Sequence, residues 1–209
     1  MRILAAVAVV GAALAAAATA AAPVTLTLMA NPTTVVYGKT TVLSGVLSTH
    51  KANQQVKVNG TECGSTASKT LATVKTNSTG TYTASITPTV ATMYQASQKS
   101  VKSPSVAVTV APVVKLVRVR RGSYTVSVTA ALDLKGKAIL FQRYSKTRKR
   151  WIQVKRVLLT TAAAATKPTI VTSVSFTVKV AKGARVRAAL SKAQAAPCYL
   201  PAASPSLRA

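Results

Sequence analysis

The sequence predicts an all-β protein made of two similar antiparallel β-sandwich units in tandem, and three observations carry that expectation. After Pro23 the chain breaks into short segments that alternate apolar and polar residues with period two, as a half-buried strand requires. Turn-forming residues interrupt those segments at intervals of roughly 8–12 residues, the rhythm of a sandwich or barrel. The order of segments then recurs in the second half, which favours two units of similar size over one barrel. Val and Thr are plentiful and suit a pleated surface. A chain of 209 residues is long enough for one large or two ordinary cores. No stretch after the leader sustains a helical period.

The elements follow in order. Arg2, an apolar run over 3–17 and the small residues Ala18-Thr19-Ala20 read as a signal peptide over 1–20, cut after Ala20. A membrane anchor is the alternative, because 3–22 is nominally long enough to span. Most of that run is alanine, which is only weakly hydrophobic, so cleavage with no stable membrane span left behind is the expectation. The first unit covers 23–111, with strands expected at 24–28, 41–47, 56–58, 82–86 and 106–110. Asn31-Pro32, Gly38, Asn59-Gly60, Ser78-Thr79-Gly80 and Ser103-Pro104 are the intervening turns. Pro112 marks the join. The second unit covers 112–194, with strands expected at 113–120, 124–130, 137–144, 151–158, 173–180 and 184–190. Residues 195–209 read as a C-terminal tail. The repeat aligns "VYGKTTVLSGVLS" (36–48) with "RRGSYTVSVTAAL" (120–132), which puts Gly38 on Gly122. It also aligns "YTASITPTVATMYQAS" (82–97) with "FTVKVAKGARVRAALS" (176–191), which puts Tyr82 on Phe176.

The charge is as informative as the pattern. There are 28 Lys plus Arg against two acids, Glu62 and Asp133, for a net charge of +26. Residues 23–111 hold seven lysines and one acid, net +6, whereas 112–209 hold twenty Lys plus Arg and one acid, net +19. The densest stretch is "KTRKRWIQVKR" (146–156), where basic residues surround the single tryptophan. The alternation on either side makes this the turn of a hairpin. Tyr144 and Trp151 bracket the turn and can meet across the strands. The face with Ile139, Phe141, Ile152 and Val154 is expected inside, which leaves the cations in solvent. Further clusters are Arg118-Arg120-Arg121 and Lys182-Arg185-Arg187.

Such a field attracts polyanions. The expected binding residues are Arg143, Lys146, Arg148, Lys149, Arg150, Lys155 and Arg156. The expected partners are anionic cell-wall polymers or other polyanions. The alternative is a merely solvated surface, since exposed strands accept cations readily and charge deters edge pairing. That alternative does not explain the scarcity of acids. A specific nucleic-acid ligand is not expected, because no helix suits the major groove and no repeated aromatic platform appears. A basic, secreted nucleic-acid-binding protein remains the second reading. The sequence does not specify an oligomeric state.

The sequence offers little to catalysis. Its two acids lie in different units, and there is one histidine, His50. No metal-ligand spacing, acid cluster or glycine-rich phosphate loop occurs. Ser48-Thr49-His50-Lys51 matches the S-x-x-K pattern of penicillin-binding enzymes, but it follows a strand and its companion motifs are missing. No catalytic residue, cofactor or metal is expected. Asn59-Gly60-Thr61 and Asn77-Ser78-Thr79 match the glycosylation pattern and read as ordinary turns. The two cysteines, an even count in a secreted chain, favour one disulfide over two free thiols.

Segments 24–48, 72–97 and 139–159, together with Cys63-Gly64, resemble the tandem immunoglobulin-like modules of secreted actinobacterial proteins. The resemblance covers nearly all of the chain after the leader and rests on structural motifs. It implies two immunoglobulin-like antiparallel β-sandwiches used as a spacer, stalk or adhesive unit, without the antibody-type intra-domain disulfide. It also implies that Cys63 pairs with Cys198 across the two units. A closure of that length is worth up to roughly 5 kcal/mol in the chain-entropy model.

Overall fold

A computed structural model describes residues 23–209, so the expected leader and its cleavage site lie outside the described residues. The strands before Pro112 are β1 (Met29–Asn31), β2 (Thr34–Val36), β3 (Thr41–Val46), β4 (Gln55–Glu62), β5 (Ser68–Lys75), β6 (Thr81–Ile86), β7 (Thr92–Gln98), β8 (Val101–Lys102) and β9 (Val106–Ala111). After Pro112 come β10 (Val113–Arg120), β11 (Ser123–Ala130), β12 (Ala138–Ser145), β13 (Arg150–Leu158), β14 (Thr161–Ala164), β15 (Ile170–Thr177) and β16 (Arg185–Leu190). The one-turn helix α1 (Lys192–Ala195) precedes β17 (Ala202–Ala203) and β18 (Leu207–Arg208). Among the described residues no helix is long and apolar enough to cross a membrane.

The protein is therefore all-β, built of several largely antiparallel sheets. Before Pro112, β1-β3-β6 form one sheet and β2-β9-β7-β4-β5 another, with β8 attached to β7. After it, β10-β11-β15-β14 and β13-β12-β16-β17 form two more, with β18 also on β16. Among the described residues only β2 and β9 run parallel. The plan recurs: β10-β11-β15 follows β1-β3-β6, and β13-β12-β16 follows β5-β4-β7. The aligned repeat segments fall on these equivalent strands, but in different register. Tyr82 faces Gly45, whereas Phe176 faces Tyr124.

The alternation read from the sequence is what fills the interior. Leu43 on β3, Val56 and Val58 on β4, Tyr82 and Ala84 on β6, and Val108 and Val110 on β9 are buried at every second position. In the second half Tyr124, Val126 and Val128 do the same on β11, and Val186, Ala188 and Leu190 on β16. Phe141 of β12 meets Tyr124 and Phe176 of the opposing sheet, with ring centroids 5.0 and 5.3 Å apart. Aromatic contacts at such distances add to area burial and give the sandwich-like pair a fixed centre. No strand ladder crosses Pro112, but the buried apolar side chains form one connected cluster with members on both sides of it.

Four expectations need correction. Residues 24–28 bury Leu26 and Leu28 as the pattern demands, but form only an isolated bridge, Leu26 to Leu47. Hydroxyls replace the missing ladder bonds: Ser48 Oγ accepts from Thr25 N–H and Thr27 Oγ1 from Val46 N–H, both at 2.8 Å. Asn59-Gly60 is not a turn but the middle of β4. A Cβ on Gly60 would meet Leu71 Cδ1 of the neighbouring strand, an exposed side-chain end that would have to swing aside. Asn59 is itself engaged, donating to Ser97 Oγ and accepting from Thr70. The pattern does not announce β5 and β7, because β5 is largely exposed and β7 buries the polar residues Thr92 and Gln98. Finally, 195–209 is not a free tail, since β17 and β18 extend the edge of the β16 sheet.

The C-terminal segment also ties the two halves together. A disulfide joins Cys63, just after β4, to Cys198 across 135 residues, with Cα atoms 5.3 Å apart. Ala91 N–H donates to Cys198 C=O at 3.0 Å, and Leu200 N–H to Val110 C=O at 2.8 Å. Between them the buried Tyr199 hydroxyl donates to Thr89 C=O and accepts the N–H groups of Ala131 and Leu132. One phenol thus bonds to both halves. A disulfide of this kind fits an oxidising, extracellular compartment.

Burial raises the pKa of Tyr82 from 10.0 to about 12, and raises those of Tyr94 and Tyr199. Once unfolded, these phenols ionise first. The stability they contribute is complete below the ordinary tyrosine value and is lost as pH rises through the folded one. Alkaline titration followed by ultraviolet absorbance should therefore show a late tyrosine step near pH 12. Tyr82→Phe should remove that step, and stability should fall between about pH 10 and 12.

Candidate polyanion-binding site

The hairpin β12–β13 places most of the expected binding residues. Ser145 pairs with Arg150, and four residues close the turn, with Lys149 at φ +47°. Ser145 Oγ accepts from Arg148 N–H at 3.3 Å. Lys146, Arg148, Lys149 and Arg150 are all exposed at this tip.

Below the tip a register shift alters which way the side chains point. Phe141 pairs with Lys155 and Gln142 with Gln153, so Val154 is the extra residue of a bulge. Lys155 consequently shares the core-side face with Phe141. Its Nζ donates to Thr177 C=O at 2.8 Å and lies 5.9 Å from the Phe176 centroid. Arg143 pairs with Ile152 and with Val186 on this same side, near the hairpin tip. The expected interior face is therefore only half right. Ile139 and Phe141 are fully buried, Ile152 is half-buried, and Val154 is 40% exposed. Position 154 misleads because the bulge reverses the alternation there, on a strand that forms the edge of its sheet.

The outward face of this sheet carries a different group. Tyr144 and Trp151 are Cα partners, with rings 5.4 Å apart and edge to face, in keeping with their bracketing positions. Arg187 on β16 pairs with Gln142 and lies over the indole, 4.3 Å from its centroid. Its Nε donates to Gln142 Oε1 at 2.8 Å. Arg185 lies 5.4 Å from the Tyr144 ring and 6.0 Å from that of Trp151. Burial lowers the Arg187 pKa below its usual value, yet a guanidinium remains charged at neutral pH. Arg208 on β18 is the Cα partner of Arg185. Arg156, opposite Leu140, belongs to the same face.

Antiparallel pairing gathers the three basic clusters at one end of the second half. The turns β10–β11, β12–β13 and β15–β16 all lie opposite the Pro112 end. A cleft of about 440 Å³ separates the hairpin from the 181–185 turn, and Arg143, Lys146, Lys182, Arg185 and Arg208 stand on its walls. Across that turn a second cleft, of about 240 Å³, is walled by Arg118, Arg121 and Lys182. No Asp or Glu lines either cleft. The nearest acid in sequence, Asp133, sits before β12 and accepts from Lys135 N–H at 2.8 Å.

The seven expected residues are thus all exposed but not coplanar. Four form the tip, Arg143 and Lys155 share the core-side face, and Arg156 joins the outward face. In the sequence Arg185 and Arg187 stand as a separate cluster. Their spacing of two puts them on one face, but only the β12–β16 register brings them to Trp151. Arg208 carries no sequence signal.

Elsewhere, His50 is exposed at φ +51° and its Nδ1 donates to Thr79 C=O at 2.9 Å. Ser48 and Lys51 occupy a turn, not one face of a helix. Asn77 is a turn residue as expected, its Oδ1 accepting from the N–H groups of Thr79 and Thr81. Among the described residues no three His, Cys, Asp or Glu side chains group to hold a metal ion. Compared with known proteins, the chain matches no family model and no curated sequence.

Proposed function

We propose that this is a non-catalytic secreted protein of two tandem immunoglobulin-like β-sandwich modules. It serves as a structural or adhesive unit whose second module holds anionic polymers of the cell wall or surface. The observation that carries this reading is the gathering of three basic turns at one end, around two clefts lined by no Asp or Glu side chain. Like charges so placed repel one another, and a polyanion relieves that repulsion while releasing its own counter-ions. The strand order shared by the two halves and the recurrent Gly38 and Gly122 turns, both at positive φ, support the modular reading. The disulfide supports the extracellular one.

The test is retention on anionic wall material as a function of salt. Joint replacement of Lys146, Arg148 and Lys149 by Glu should weaken retention. It should also reduce the salt slope by roughly 0.7–0.9 for each phosphate that the tip no longer neutralises. Duplex DNA at about 0.15 M salt is the comparison. Unchanged retention by the variant removes the tip from the site. Sequence-selective DNA binding at that salt would replace the wall-polymer reading with the nucleic-acid one.

A further inference from the structure

Two of the arginines are held unlike the rest. A lysine or arginine on a tip samples many rotamers and acts as a mobile point charge. Arg187 cannot, because its guanidinium lies over the indole of Trp151 while Nε is bonded to Gln142. Arg185 is steadied by the Tyr144 ring on one side and by its Nη2 bond to Ser206 Oγ, at 3.2 Å, on the other. With Nε engaged by Gln142, the terminal Nη groups of Arg187 are the donors left for a ligand. Positions 185 and 187 are two apart on one strand, so their backbones repeat at about 6.5–7 Å. Arg208 and Arg156 flank the pair on the same face.

We propose that this outward face, formed by β12, β13 and β16, is a specific docking track for a chain of regularly spaced oxyanions, with Arg185 and Arg187 as its two oriented forks. The inference rests on the polyanion reading above and deepens it. The tip cations attract any polyanion, whereas the stacked arginines select the oxyanion. A planar guanidinium donates two parallel N–H bonds to one phosphate or carboxylate, which an ammonium cannot reproduce. Rings that hold the guanidinium before binding reduce the side-chain ordering that binding requires. The cleft beside Arg185 continues the track toward Lys146 and Lys182. The occupant is an extended polyol phosphodiester, whose successive phosphates complement the arginines of this face. No Asp or Glu side chain of the named strands opposes it.

The test separates fork geometry from charge. The full chain is titrated with a glycerol-phosphate oligomer and with an oligogalacturonate of equal charge, each at two salt concentrations. Arg185→Lys with Arg187→Lys keeps the net charge. Affinity for the preferred oligomer should drop about tenfold with the salt slope unchanged. Trp151→Leu, which leaves both arginines but removes the platform, should lower affinity in the same direction. It also serves if the double variant folds poorly. The glycerol-phosphate oligomer should bind more tightly, and tighter binding of the oligogalacturonate would overturn the phosphodiester assignment. Wild-type affinity in both folded variants would overturn the docking track and leave the broader reading standing. Failure of the native chain to bind either oligomer at low salt would overturn both.

Discussion

Replacing Cys63 and Cys198 together by serine should lower the free energy of unfolding by as much as about 5 kcal/mol. The bond closes 135 residues, so it removes a large part of the freedom the unfolded chain would otherwise have. The loss should be largest here because the link joins strand β4 of one half to the segment that closes the other. Part of the join survives without it, since Tyr199 still bonds to Thr89, Ala131 and Leu132. The serine variant is therefore expected to fold, with a lower denaturation midpoint. Urea unfolding read by Trp151 fluorescence, and by far-ultraviolet circular dichroism for the whole chain, measures the change. An unaltered midpoint, or identical curves for the native protein with and without reductant, would show that the packing at Pro112 carries the junction alone.

Phe141→Ala should cost about 3–5 kcal/mol. The ring is fully buried and touches Tyr124 and Phe176, both from the opposite sheet. Truncation removes its transfer energy and leaves a cavity that those two rings fill only in part. The β-bulge beside it adds a second effect. Lys155 lies on the same face, its ammonium 5.9 Å from the Phe176 centroid, so an emptied site lies close to a cation and admits water more easily than a wholly aliphatic one. Phe141→Leu should cost much less, because it keeps most of the volume. Thermal unfolding of the two variants checks the ordering. Equal losses would mean that the aromatic contacts, rather than the volume, set the stability of this layer.

The sequence discloses these interiors well and the surfaces poorly, for a physical reason. Alternation is local, so Leu43, Tyr82, Tyr124 and Phe141 declare their faces wherever the strand is regular. Where the ladder departs from regularity the same rule misleads. Val154 reads as interior because nothing in the sequence marks a bulge, and Asn59-Gly60 reads as a turn because that dipeptide is a common hairpin signal. β7 escapes notice because its inward positions include the polar Thr92 and Gln98, which interrupt the apolar alternation. The candidate site divides in the same way. The tip cations are contiguous in sequence and therefore visible there. The contact of Arg187 with Trp151 depends on a pairing between residues more than 30 positions apart. The even cysteine count already favours the disulfide, and the resemblance adds that it spans the two halves.

The placement of the basic turns has one more consequence. The strand β10 carries the chain about 25 Å from Pro112 to the first of those turns, and the half before Pro112 holds only a net +6 of the charge. The centre of charge is thus displaced along the long direction of the strands, away from the disulfide-locked joint. In the field of a negatively charged layer the molecule feels a torque as well as an attraction. It should stand upright with that pole down and its other half held outward, rather than lie flat.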